Sequence, residues 1–166
     1  MKRVICIVMV FAAVCALSGC REKKREAESE AFMSLLSLMG RENTVTFYTS
    51  DQEGSNREQT VDRIYGREDA YKLFSAVESY GIALSKRNEG FEVHMLKVRH
   101  PSNLENLKVL LRGRIEMLQT ADMRSYMGDG YEECISSARI YQKGRYLFLL
   151  ATADNDRAME AIGKIF

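Results

Sequence analysis

Few side chains in this sequence have the type and spacing to do chemistry. Cys20 follows Leu17-Ser18-Gly19, where small residues let the backbone enter a peptidase cleft and the thiol is the one side chain able to form a thioether. Arg114, Tyr126 and Asp129 fall near one helix end and are the candidate polar site. His94 and His100 share strand parity, but no other His or Cys completes the three or four ligands a metal needs, so no metal site is expected. Asp51, Glu53 and Asn56 offer oxygens without the spacing of a calcium loop. Gly128-Asp129-Gly130 lacks the Lys-Ser/Thr of a phosphate loop. Cys134 reads as a small buried apolar residue. Nothing here forms a catalytic set, and no cofactor is implied.

Cys20 gains meaning from what precedes it. Lys2 and Arg3 open the chain, and Val4 to Ala16 form an uncharged, mostly apolar run of thirteen residues. That length suits the apolar region of an export signal and is too short to span a bilayer securely. Leu17-Ser18-Gly19-Cys20 resembles the lipobox of bacterial lipoproteins at all four positions. The resemblance implies cleavage between Gly19 and Cys20, a diacylglyceryl thioether on Cys20 and an acylated amino group carrying a fatty acid such as palmitate. The implied location is the cell membrane, lipid-anchored and facing the extracytoplasmic side. Several acyl chains on one residue give stable attachment.

Removal of residues 1–19 leaves 147 of 166, enough for one domain with a real core. The full chain has 24 basic and 23 acidic residues, and losing Lys2 and Arg3 leaves a net charge of −1. No basic excess marks a nucleic-acid binder. With Cys6 and Cys15 in the signal and Cys20 lipidated, Cys134 has no disulfide partner within the mature chain. The organisation expected is a signal peptide at 1–19, a lipidated Cys and charged tether at 20–30, and a single α+β domain at 31–166.

The elements that must position any site follow from periodicity. Arg21 to Glu30 carries four positive and four negative charges and reads as a solvated spacer. Helical spacing of Phe32, Leu35, Leu36 and Met39 ends at Gly40, giving a helix over about 22–39. Thr44 to Thr49 reads as a strand, Ser50 to Asn56 as a polar turn, and Gln59 to Tyr65 as a returning strand. A short helix follows over 67–74. Val77 to Lys86 and Phe91 to Arg99 form the clearest hairpin of the first half, turning at Arg87-Asn88-Glu89-Gly90. Ser102 and Glu105 make a capping box for a helix to about Thr120, with a stripe of Leu104, Leu107, Leu111, Ile115 and Leu118. Lys108, Arg112 and Arg114 lie off that stripe, where a solvated face is the ordinary outcome. Asp122 to Gly130 is turn-rich, and Tyr131 to Ile135 a helical turn. Ser137 to Tyr141 and Arg145 to Thr152 are strands, the second central because its apolar run is continuous. Asp154 caps a last helix over 155–165. The expected fold is an antiparallel sheet with helices packed mainly on one face.

The strand Val93 to Val98, the helix with its late Arg114, then Tyr126 and the hairpin Ala138 to Leu149 resemble a family of small lipoproteins of Gram-positive bacteria known only as a domain of unknown function. Met127 stands where a Pro is common in that family. The resemblance covers about 91–166, supports an α+β domain and carries no activity, ligand or catalytic residue. The function expected is a non-catalytic binding or interaction module of the cell envelope, held to the membrane through lipid on Cys20 and meeting an envelope protein partner. A small-ligand accessory of a transporter is the alternative, and an envelope enzyme the third reading.

Overall fold

A computed structural model describes residues 28–52, 57–66 and 70–166, apart from the side chains of Ala121 and Tyr126. The signal segment, Cys20 and most of the tether lie outside the described residues.

The described residues begin with helix α1 (28–38), in which Phe32, Leu35 and Leu36 are fully buried. Residues 28–30, read both as the end of the tether and as part of a helix over about 22–39, belong to this helix. Glu28 is buried because its carboxylate meets Lys97 Nζ and Ser79 Oγ, which neutralise and satisfy it. Strand β1 (Val45–Thr49) follows, then α2 (Arg57–Tyr65), α3 (Ala70–Phe74), β2 (Val77–Ser85) and β3 (Glu92–Val98). A 3₁₀ turn at Pro101–Asn103 leads into α4 (Leu104–Leu118), α5 (Ala121–Tyr126) and α6 (Tyr131–Ser136). Strands β4 (Arg139–Lys143) and β5 (Tyr146–Ala151) and helix α7 (Asn155–Ile165) complete the fold.

The five strands form one antiparallel sheet in the order β1-β2-β3-β5-β4, so the fold is α+β. Both faces are covered. Alternation along β3 sends Leu96 and Val98 to one face, where α2, α3, α4 and α6 pack, and Val93 and Met95 to the other, where α1 and α7 pack. Central strand β5 is buried along nearly its whole length, as its unbroken apolar run requires. The β4–β5 turn is Gly144-Arg145, with Gly144 at φ +58°, a conformation glycine adopts without Cβ strain.

Three local expectations are corrected. Residues 59–65 are helical, not a strand: Val61, Ile64 and Tyr65 are spaced to bury one helical stripe, and the β-branched content that suggested a strand is outweighed by that packing. The capping box at Ser102 does not form, because Pro101-Ser102-Asn103 coils into a 3₁₀ turn and Asn103 becomes the N-cap, without a side-chain bond. The first half of the segment read as turn-rich, Asp122 to Gly130, belongs to α5, capped by Thr120, whose Oγ1 accepts from Met123 N. By contrast, Asp154 does cap α7, accepting from Arg157 N at 2.9 Å. Asp154→Ala should therefore cost about 1 kcal/mol, read as a lower urea midpoint at unchanged slope.

Candidate functional site

Strand β3 is central and all seven of its residues are buried, yet Glu92, His94 and Lys97 are ionisable. Each must be satisfied by a partner. Lys97 points to the α1 face and meets Glu28. Glu92 and His94, two residues apart, share the opposite face and there build a polar cluster.

Arg114, from the last part of α4, grips Glu92 in a bidentate fork: Nε donates to Oε1 at 2.7 Å and Nη2 to Oε2 at 2.8 Å. Its Nη1 donates to the Ile64 carbonyl at 2.6 Å, one of the last-turn carbonyls of α2 that lack a helical partner. One side chain thereby fastens α4 to β3 and to the negative end of α2. On Glu92's other side, His94 Nε2 lies 2.7 Å from Oε1, off the line of a hydrogen bond. His94 Nδ1 is 2.8 Å from the Tyr65 hydroxyl, and the two rings meet edge to face. A Tyr65 O–H donating to Nδ1 leaves the Nε2 proton beside the carboxylate, so one tautomer suits both neighbours.

The charge states follow from this geometry. Burial pushes the Glu92 carboxyl up, but His94 and the charge and hydrogen bonds of Arg114 outweigh it and bring the pKa down to about 2. Burial, then the Glu92 charge, pushes the Tyr65 phenol well above its ordinary value, so it keeps its proton. Burial lowers His94, against the pull of Glu92. For Arg114 burial acts to lower the pKa, and its bonds and charge pairing with Glu92 raise it overall. The cluster at neutral pH is thus an Arg–carboxylate pair with a buried imidazole and phenol behind it.

Glu92 and Arg114 also form part of the wall of a cavity of about 420 Å³. It opens where the β2–β3 turn meets the ends of α2 and α4. Thr46, Leu84 and Glu92 lie side by side across β1, β2 and β3 to make its floor. Tyr48, Leu118, Met127 and Tyr131 supply apolar walls, and Arg63 and Lys86 line it as exposed cations. The walls are braced. Gly128 N donates to Asn88 O, and Tyr131 O–H donates to Leu118 O. Gly90, at φ +77°, abuts Tyr131 so closely that an added Cβ would lie 2.7 Å from its ring.

Arg114, expected off the core stripe, is therefore not on a solvated face; it is paired with Glu92 at the cavity wall. Asp129 is exposed and does not line the cavity, and the Tyr126 side chain lies outside the described residues. His94 is buried and His100 exposed, so the two do not converge. Among the described residues no group of three or more His, Cys, Asp or Glu could hold a metal. Cys134 is buried, and burial raises its thiol pKa, which disfavours the reactive thiolate. Asp51 is exposed and accepts from Ser29, while Glu53 and Asn56 lie outside the described residues.

The sequence reading missed Glu92, His94 and Tyr65 as a cluster. The signal was present in Glu92-Val93-His94, two polar residues on the strand face that Leu96 and Val98 otherwise make apolar. Compared with protein-family models, curated proteins and solved structures, the chain finds no match.

Proposed function

We propose that this chain is a lipid-anchored, extracytoplasmic, non-catalytic binding module. The anchor reading rests on Leu17-Ser18-Gly19-Cys20 behind a short apolar run. Among the described residues no helix is long and apolar enough to cross a membrane. The packed domain starts by Glu28, eight residues after Cys20. Eight residues reach at most about 29 Å, so lipid on Cys20 would hold the domain close to the bilayer surface. The likeness to small Gram-positive lipoproteins over the second half fits this placement.

The single observation that carries the binding reading is the braced cavity of about 420 Å³, within the size range of small-molecule sites. It favours a small ligand over the envelope protein partner expected from sequence, since a concave, pre-formed site suits a molecule that enters it. A non-catalytic role is supported by the bidentate pairing of Glu92 with Arg114 beside it. Glu92 is held ionised with both oxygens on Arg114, a poor match for a general acid or base poised near neutral pH. His94 is wholly buried, behind Glu92.

The anchor is tested by growing cells expressing wild type and Cys20→Ala with a labelled fatty acid, then separating membranes from soluble fractions. Wild type should carry label and sediment with membranes. Cys20→Ala should carry no label, keep its first nineteen residues and accumulate as precursor. Labelling and maturation of Cys20→Ala would remove the anchor reading.

A further inference from the structure

The cavity's lining carries an uneven charge. Arg63, Lys86 and Arg114 are cationic, and Glu92 is the one acidic residue among the described residues that line it. Glu92 and Arg114 cancel each other through their bidentate bond. Arg63 and Lys86 remain as the charge the cavity offers. Arg63 lies with its guanidinium carbon 6.0 Å from the Tyr48 ring centre, at the outer limit of a cation–π contact. Lys86 Nζ donates to the Asn43 carbonyl at 3.3 Å, a long bond to a neutral group that leaves its other two protons to donate. Both are exposed, while Leu84, Leu118 and Met127 add apolar side chains to the lining.

We infer that the cavity takes a small organic anion with an apolar body, its charged end held by Arg63 and Lys86 and its body against Leu84, Leu118 and Met127. The neutralised Glu92–Arg114 pair serves as a rigid wall, since an unpaired Glu92 at this position would repel such a ligand. This inference rests on the reading of the cavity as a binding site. Carboxylates and phosphate monoesters share the required chemistry, and the experiment separates them.

The full-length protein in detergent is screened by ligand-observed NMR against matched sets of small molecules. Each set has one aryl or branched alkyl body presented as carboxylate, phosphate monoester, primary amide and amine. The expected result is that anions bind at least about tenfold more tightly than the amide of the same body, the worth of one hydrogen bond between charged groups. The better of the two anions identifies the headgroup. Arg63→Gln and Lys86→Gln, both at exposed positions, should each erase most of that preference without changing the melting temperature. Equal binding of anion and amide, a preference for amines, or an anion preference untouched by both variants would overturn the inference while leaving the cavity a binding site. Binding by no member of any set would remove both.

Discussion

Replacing Glu92 by Ala should destabilise the domain by about 3–5 kcal/mol, because it strands the buried charge of Arg114. The carboxylate is the hub of the cluster: it takes two hydrogen bonds from Arg114, and His94 Nε2 sits 2.7 Å away. A second substitution separates a stranded charge from lost packing. Glu92→Ala combined with Arg114→Met should recover part of the loss, since an apolar side chain has no charge to leave unpaired. Failure to recover would mean that the Ile64 carbonyl or shape, not charge, dominates.

The same residue governs the response to acid. The folded protein holds the Glu92 pKa near 2, against an ordinary value of 4.5, so protonation favours the unfolded chain. Its contribution is intact above about pH 4.5 and disappears as pH falls towards 2, a loss of roughly 3 kcal/mol. His94 acts in the same direction. Its folded pKa is depressed below 6.5, so it too favours unfolding as acid protonates it. Stability should decline from about pH 6.5 downwards, most steeply below 4.5. Urea midpoints at a series of pH values should show that lower segment flattened in Glu92→Ala. Parallel wild-type and variant curves would contradict the assignment.

The second large effect is expected on the opposite face. Gly81, in the middle of β2, lies directly under the Phe32 ring, and an added Cβ would sit 2.4 Å from Cγ and 2.5 Å from Cδ1. Phe32 is fully buried between α1 and the sheet. Gly81→Ala should therefore cost about 1–3 kcal/mol or more through overpacking, despite the easier backbone that Ala gives a strand. Phe32→Ala should cost about 3–5 kcal/mol. The two sites are in contact and should not add: in a Phe32→Leu background, Gly81→Ala should cost markedly less than in wild type. Full additivity would show that the ring and the glycine do not meet.

These two positions show what was legible in the sequence. Gly81, Ala83 and Ser85 stand out as the small-residue face of β2, and Phe32, Leu35 and Leu36 as an apolar helical stripe. Alternation cannot say that one receives the other, because that pairing joins elements about fifty residues apart. The hairpin of β2 and β3, the core stripe of α4, the central strand β5 and the cap of α7 were readable because period, turn residues and capping chemistry are local. Helix α2 was misread because its few apolar residues fit a strand equally well until their burial is known. Arg114 could be singled out by its place late in the helix, but its partner Glu92 lies across the fold. Glu92 and Arg114 close a ring only once α4 crosses the sheet. The cavity beside them has no sequence signature, since residues from β1 to α6 line it.

The most direct test of this account is a two-dimensional NMR titration of the full-length protein in detergent with the tightest-binding anion from the matched sets. The account predicts shifts confined to the amides of Lys86, Asn88, Gly90 and Glu92, to Leu118, and to the Nε–H groups of Arg63 and Arg114. Shifts clustered at the β4 edge or on α7 instead would place binding elsewhere on the domain and contradict it.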